Sequence, residues 1–140
     1  MSRELRTPHV LGGQTILIIE DDALLLRSLM VWFQQAGCSV FGAKDGVEGL
    51  AQFKQHRPHV VISEIVMPNR EGVETIMAIK ALAPSARILA ISGGGRIGST
   101  DLLSLAHALG ADAVMAKPFR SADIVGAVAR LVQPAVGAPP

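Results

Sequence analysis

The sequence predicts an α/β protein in which a parallel β-sheet is covered by helices on both faces. Two observations indicate this fold class. Short runs of β-branched and aliphatic residues alternate with longer segments of helix formers along the 140-residue chain. Glycine, proline or acidic residues separate almost every such run from the next. Five strand–helix pairs follow one another in this way, and such alternation is typical of a parallel sheet with right-handed crossovers.

The five predicted strands are short apolar runs bounded by turn or polar residues. Residues 15–19 (TILII) and 60–62 (VVI) are uninterrupted, which is typical of strands that are buried on both faces. The second strand is the weakest of the five, because residues 38–41 read only CSVF. The predicted strands are, in order, residues 15–19, 38–41, 60–62, 86–91 and 113–116.

The five predicted helices are recognised by their start and stop signals. Asp45 with Glu48 three residues later forms a capping box, and Ser121 is an N-cap for the last helix. Gly37 and Gly110 supply stops after the first and fourth helices. The predicted helices are, in order, residues 23–36, 45–56, 73–82, 102–109 and 121–132.

Composition and length indicate one domain without nucleic-acid or membrane partners. The net charge of +1 gives no basic surface for nucleic acid or anionic lipid, and no apolar stretch is long enough for a signal peptide or a membrane span. Cys38 is the only cysteine, which excludes an internal disulfide and favours a cytoplasmic location. We expect a flexible arm over residues 1–13, a domain over 14–132 and a disordered tail over 133–140.

Polar residues follow four of the predicted strands, at the points where the strands end. They are Glu20 and Asp21 after the first strand, Glu64 after the third, Ser92 after the fourth and Lys117 after the fifth. In a parallel sheet these ends meet at one edge, where functional residues gather. Three carboxylates in one crevice repel each other, so a hard divalent cation such as Mg²⁺ is expected to compensate them. A lysine and a hydroxyl group in the same crevice indicate a site for an anionic group.

Each of these residues also has a simpler explanation when it is taken alone. A carboxylate after a strand is often a helix N-cap, and Asp22 is interpreted as one. A single Lys-Pro pair carries little information. The match of four strand ends in the right order favours a functional site.

At this point the sequence resembles the receiver domain of two-component response regulators. The resemblance covers residues 15–131, almost the whole chain. It rests on ILIIEDD (16–22), SEIVMP (63–68) followed by EG (71–72), ILAIS (88–92) and AKPF (116–119).

The resemblance implies a flavodoxin-like three-layer αβα sandwich whose parallel strands lie in the order 2-1-3-4-5. It also implies a role for each polar residue at the sheet edge. Glu20 and Asp21 would hold Mg²⁺, together with Glu64 and the backbone carbonyl of Val66. Lys117, followed by a cis bond to Pro118, would bind the acceptor or its phosphoryl group, and Ser92 would be the switch hydroxyl.

Two positions depart from the family pattern. Glu64 stands where the family has its phospho-accepting aspartate, so we expect phosphotransfer at this position to be weak or absent. The longer carboxylate either imitates the phosphorylated state or is only a damaged acceptor. Val114 stands where receivers usually have an aromatic residue that reports switching, and valine is too small and stiff for that movement.

Two helical surfaces are candidate partner sites. The first helix has a core stripe of Leu25, Leu29 and Trp32, yet further apolar residues lie off that stripe. In the family this helix docks a histidine kinase, so a signalling protein is the expected partner. A second surface on the fourth and fifth predicted helices, which many receivers use to form a homodimer, would contain Leu103, Leu105, Ile124 and Val128.

Three functional hypotheses follow. The first is a single-domain receiver that is not an enzyme and acts through protein–protein interaction, with Mg²⁺ binding weakened or lost. The second is a working, Mg²⁺-dependent phosphorelay receiver. The third is a small Mg²⁺-dependent phosphohydrolase or nucleotide binder on the same fold.

Overall fold

The computed structural model describes residues 11–65, 71–93, 104 and 108–132. Within them, strands and helices alternate along most of the chain. The strands are β1 (Thr15–Ile19), β2 (Ser39–Ala43), β3 (Val60–Glu64), β4 (Arg87–Ser92) and β5 (Ala113–Ala116). The helices are α1 (Ala23–Gln35), α2 (Gly46–His56), α3 (Glu71–Leu82) and α4 (Ser121–Val132).

All five strands form one parallel sheet in the order β2-β1-β3-β4-β5. From β1 the chain passes to β2 at one edge of the sheet, and then adds β3, β4 and β5 in turn on the other side of β1. The register pairs Ile19 with Ser63 and Ser92 with Ala116, so the carboxyl ends of these strands lie at one edge of the sheet. The predicted fold class and strand order are therefore confirmed.

Helices cover both faces of the sheet and enclose two separate cores. On one face, α1 and α4 contribute Leu29, Phe33, Ile124 and Val128, all fully buried. On the other face, α2 and α3 contribute residues such as Phe53. The central strands are buried on both sides, which explains why their sequences are continuously apolar rather than alternating.

The helix starts follow the predicted capping chemistry with two differences. Asp22 accepts hydrogen bonds from two backbone N–H groups of α1, and Asp45 accepts one from Glu48. The Glu48 side chain accepts from the N–H of Lys44, one residue earlier than in a standard capping box. Ser121 is the first residue of α4 rather than its N-cap. This first turn is instead closed by the Asp123 side chain, which lies just inside the helix.

Several predicted positions were wrong in detail. Phe33 is the fully buried aromatic residue of α1, because it continues the i, i+4 stripe from Leu29, while the predicted core residue Trp32 packs against the same core but is only partly buried. Ile124 and Val128 lie in the core and not on a partner surface, since they face the sheet. Leu11 is also buried, so the packed domain includes a residue predicted to lie in the flexible arm.

Other predictions fall partly outside the described residues. Most of the predicted fourth helix, with Leu103 and Leu105, is outside them, although Ser104, Ala108 and Leu109 are helical. Residues 1–10, the tail over 133–140 and Val66 are also outside. Their predicted roles therefore stay predictions.

Lys80 ties the end of α3 to the strands beside it. Its Nζ donates to the carbonyl oxygens of Pro84 and Ala86 at 3.2 and 2.7 Å and contacts Asp112 Oδ2 at 3.1 Å. We expect Lys80→Met, which keeps the aliphatic stem, to lower the free energy of unfolding by about 1–2 kcal/mol because these carbonyls lose a charged donor. Urea denaturation measures this, with the exposed Lys54→Met as the matched control. Equal midpoints for the two variants would contradict the assigned role.

Candidate functional site

The candidate site lies at the carboxyl edge of the sheet, where β1, β3, β4 and β5 end. Glu20 follows β1 directly, Glu64 and Ser92 are the last residues of β3 and β4, and Lys117 follows β5. The register places Ile19 beside Ser63, so the next residues, Glu20 and Glu64, are neighbours. The structure therefore brings these four polar residues together, and the exposed side chain of Asp21 lies beside Glu20 at the same edge.

Lys117 joins the two buried carboxylates of the site. Its Nζ lies 3.0 Å from Glu20 Oε1 and 2.5 Å from Glu64 Oε1. The Glu20 side chain is 0% exposed and the Glu64 side chain 3%, whereas that of Lys117 is 22% exposed. The single ammonium group of Lys117 thus compensates two carboxylates that are almost completely buried.

Backbone hydrogen bonds fix the strand ends that carry these side chains. The N–H of Lys117 donates to the carbonyl of Ser92 at 2.8 Å, and the N–H of Ile65 donates to the carbonyl of Ile91 at 2.8 Å. Glu20 Oε2 accepts the N–H of Asp22 at 3.0 Å. Glu64 is in a strand, and Glu20 and Lys117 directly follow strands, so the sheet fixes the backbone from which these side chains extend.

The pKa shifts follow from burial and from the ion pairs. Burial raises the pKa of Glu20, because the charged form is poorly solvated, although its bond from Asp22 and the nearby Lys117 act in the opposite direction. Burial alone would lower the pKa of Lys117, but the hydrogen bonds and charges of Glu64 and Glu20 outweigh this effect and raise it. Lys117 is therefore a firmly charged lysine at neutral pH.

One oxygen of Glu20 is only partly satisfied. Oε1 lies 3.0 Å from Lys117 Nζ and accepts no further hydrogen bond from the described residues. A buried carboxylate oxygen such as Glu20 Oε1 can accept a further hydrogen bond or coordinate a cation. This feature favours a cation or a donor at the site.

The remaining features do not favour a metal ion. Asp21, the predicted partner of Glu20, is exposed, although its side chain is within hydrogen-bonding reach of Glu20. No group of three His, Cys, Asp or Glu side chains that could hold a metal occurs in the part of the chain that the structure describes. Two carboxylates that already share a lysine do not make the oxygen-rich shell that Mg²⁺ requires. Lys117 therefore compensates Glu20 and Glu64 in this structure, and the predicted magnesium site, which includes Val66 outside the described residues, stays a prediction.

The other predicted site residues have the following environments. Ser92 is buried at 1% exposure. Val114 packs, partly buried, against the core beneath α2 and α3, where an aromatic residue was expected by resemblance. The bond between Lys117 and Pro118 is cis, as the resemblance implied.

The sequence predicts loops at Gly72 and Gly93, but it does not predict the close contacts that these two glycines make at the site. A Cβ at Gly93 would lie 3.2 Å from Lys117 Cδ, so this glycine lets the lysine stem lie close to the backbone. A Cβ at Gly72 would lie 2.7 Å from the carbonyl oxygen of Ile65 and closer still to that of Glu64. The EG pair in the sequence was a signal for Gly72, but close approach cannot be read from the chain alone.

Comparison with known proteins decides the family. A family model described as the response regulator receiver domain matches residues 16–129. The chain belongs to this family. The receiver is similar to the chemotaxis protein CheY of Thermotoga maritima, with 30% identity over 83% of this chain and 95% of that protein. It is also similar in structure to CheY4 of Vibrio cholerae, with a TM-score of 0.78 and 26% identity over 85% of this chain and 98% of that one.

Another relative is a longer protein. The receiver is 33% identical to the transcriptional regulatory protein PdtaR of Mycobacterium tuberculosis over 81% of its own length. It spans only about half of that relative, 54%.

Membership of the family has general consequences. Receiver domains are signalling modules that interact with histidine kinases or other signalling proteins, and they generally bind Mg²⁺ at the phosphorylation site. Among the described helices of this receiver, none has the length and apolar character needed to cross a membrane.

Proposed function

We propose that this receiver works in two-component signalling by binding a partner protein, without phosphorylation at the usual position. One observation carries the proposal. The Glu64 carboxylate, at the position that resembles the acceptor, lies on Lys117 with an Oε1–Nζ distance of 2.5 Å. Lys117 is thus bound by a carboxylate of the protein itself and not by a phosphoryl group that a kinase must add.

The length of the side chain is the physical reason for the proposed loss of phosphotransfer. Glutamate extends its carboxylate by one C–C bond beyond aspartate, which is about 1.5 Å. In-line transfer to an acceptor depends on placement, and a displacement of about 1 Å can lower the rate by ~10²-fold. Because Glu64 is buried, its carboxylate has little freedom to retreat to the aspartate position.

We also propose that Glu64 imitates the phosphorylated state, although the family resemblance implies that an unmodified acceptor carboxylate contacts the same lysine. In a phosphorylated receiver the lysine binds the phosphoryl group, which is an anion on a longer arm than aspartate. The Glu64 side chain is one methylene longer than aspartate, and it places a permanent negative charge against Lys117. The site is then held in one state independently of a kinase.

Acetyl phosphate separates this function from a working phosphorelay receiver. We expect the native chain, incubated with acetyl phosphate and Mg²⁺, to show no phosphoryl adduct by intact mass, because its carboxylate is misplaced for attack. Glu64→Asp is expected to gain a single adduct, since it restores the shorter arm.

Glu64→Asn is the matched control for that experiment. It has the size of aspartate without a nucleophilic carboxylate, so an adduct on it would locate the reaction elsewhere. A stoichiometric adduct on the native chain would reject the proposal and support the phosphorelay alternative.

We further propose that the site has lost most of its affinity for Mg²⁺, because Lys117 compensates Glu20 and Glu64 and Asp21 faces solvent. Millimolar MgCl₂ is therefore expected to leave Tm and the fluorescence of Trp32 unchanged. Lys117→Met removes the competing cation, so its Tm is expected to rise with MgCl₂. Matched NaCl at the same ionic strength controls for screening. A saturable, Mg²⁺-specific rise in the native Tm would contradict this loss.

The α1 surface supports partner binding. Leu24 is 73% exposed and Val31 43% exposed, although both belong to a helix whose opposite face is in the core. We propose this face for docking of a histidine kinase or another signalling protein. A homodimer through α4 also stays a prediction, but Ile124 and Val128 cannot contribute to it, since they are buried.

A further inference from the structure

A second candidate site lies at the opposite edge of the sheet, where the strands begin. A cavity of about 630 Å³ is bounded by Gln14 before β1, by His59 before β3 and by Arg87 at the start of β4. Its volume is within the range of small-molecule pockets, about 300–1,000 Å³. A strand of five residues separates this edge from the Lys117 site by roughly 15 Å.

The cavity combines apolar walls with basic groups. Phe53, Leu131 and Val132 contribute apolar surface, while Arg57, His59 and Arg87 contribute the charged or donor groups. The described lining contains no carboxylate side chain. Such a lining is suited to a ligand with an apolar body and a negative group.

Arg57 is held in an unusual backbone conformation beside this cavity. Its φ of 47° is in the left-handed region, which an arginine rarely adopts, and its N–H donates to the carbonyl of Phe53 at 2.8 Å. Its Cζ lies 5.7 Å from the centre of the Phe53 ring. The common residue at such a helix end is glycine, so an arginine at this position carries a backbone cost.

Arg87 is also available for a ligand. Its nearest acidic neighbour is Asp112, at 3.8 Å between Nη1 and Oδ1, and its side chain is 55% exposed. Asp112 has a closer cation in Lys80, at 3.1 Å. The charge of Asp112 is thus compensated without Arg87.

His59 adds a donor rather than a third fixed charge. Its Nδ1 accepts the backbone N–H of Thr15 at 3.1 Å, which places the proton of the neutral ring on Nε2.

Helix ends reduce the positive potential of the cavity but do not cancel it. The carboxyl ends of α2, α3 and α4 lie at this edge, since the residues at or directly after them line the cavity, and each carries about half a negative charge. Two arginines exceed the sum of these three ends by about half a unit. The balance therefore favours an anion.

We propose that this cavity binds a small organic anion, a phosphate or carboxylate group on a flat apolar body, with Arg57 and Arg87 on the anionic group. Arginine pairs with either group through two parallel hydrogen bonds. The apolar part of the ligand packs against Phe53, Leu131 and Val132. This site is separate from the edge that carries Glu64 and Lys117.

The test uses the full chain labelled with ¹⁵N and follows amide shifts as ligand is added. The probes are 1-naphthyl phosphate, 1-naphthoate, neutral 1-naphthol and inorganic phosphate. We expect at least one naphthyl anion to bind about tenfold or more tightly than naphthol and than inorganic phosphate, because body and charge both contribute. The ratio between naphthyl phosphate and naphthoate identifies which anion is preferred. Shifts are expected at Gln14, His59 and Val132.

Two variants locate the charge contribution. Arg87→Gln and Arg57→Gly are each expected to weaken binding about tenfold. Glycine suits the positive φ of position 57, so loss of binding in that variant cannot be attributed to unfolding. Lys44→Gln, exposed at the other edge, is expected to bind as the native chain does. Equal affinity for naphthol, native affinity in both arginine variants, or shifts centred on Lys117 would each overturn the proposal.

Discussion

Lys117→Met is expected to lower the free energy of unfolding by about 3–5 kcal/mol at pH 7, because it leaves buried charges without a counter-ion. Glu20 and Glu64 both depend on the same Nζ, at 3.0 and 2.5 Å. Methionine has nearly the length of the lysine stem, so packing is largely kept. Urea denaturation followed by circular dichroism measures the loss.

The matched control for this substitution is a variant in which the two carboxylates are neutralised as well. When Lys117→Met is combined with Glu20→Gln and Glu64→Gln, no charge is left in the site, and we expect at least half of the lost stability to return. If the triple variant were no more stable than Lys117→Met alone, packing rather than charge would explain the loss. A cost below about 1 kcal/mol for Lys117→Met would contradict the role of the lysine.

The pH dependence follows from the signs of the pKa shifts. The pKa of Lys117 is raised in the folded chain, so its stabilisation is complete below 10.5 and is lost as pH rises through the folded value. The pKa of Glu20 is also raised, so its contribution is fully present below 4.5 and falls as pH rises through the folded value. In Lys117→Met the carboxylates lose their cation, so the deficit is expected to shrink as the pH is lowered from 7 toward 4.5.

Gly72→Ala is expected to lower the free energy of unfolding by about 3 kcal/mol, at the upper end for an overpacked position. A Cβ at Gly72 would lie 2.7 Å from the carbonyl oxygen of Ile65, with the carbonyl oxygen of Glu64 closer still. Both neighbours are backbone atoms at the end of a central strand, so no side chain can rotate to make room. Thermal and urea unfolding measure the loss.

Gly126→Ala is the matched control for this glycine substitution. Gly126 lies within α4, and the nearest atom to an added Cβ is Arg130 Nη1 at 3.6 Å, the end of a flexible side chain. Alanine there is expected to stabilise the helix by about 0.5–1 kcal/mol, since it removes the entropy cost of glycine. If both variants behaved alike, the close approach at Gly72 would not be the cause.

Gly72→Ala is also expected to affect phosphorylation at position 64, because the added Cβ pushes against the end of β3. In the Glu64→Asp background, Gly72→Ala is expected to reduce the adduct formed from acetyl phosphate, because position 64 shifts with its carbonyl. The comparison needs conditions in which both variants are folded.

Much of the fold is encoded locally, which is why it could be predicted. β1 has the predicted bounds, because a strand buried on both faces needs an unbroken apolar run and polar residues end it. β5 also has the predicted bounds, although it is an edge strand, because Asp112 precedes its apolar run and Lys117 follows it. α2 runs to His56 as predicted, since Asp45 starts it and Pro58 excludes its continuation. β2 was misplaced by one residue at its start and two at its end, because an edge strand has a weaker pattern.

The sequence by itself determined which polar residues meet at the carboxyl edge, because strand order and direction follow from the alternation of elements. Only the tertiary structure decided that Lys117 reaches both Glu20 and Glu64 while Asp21 faces solvent. It also decided that Ile124 and Val128 meet the sheet. The direction of a side chain after a strand, and the face that a helix turns inward, depend on neighbours distant in sequence, so local patterns do not contain them.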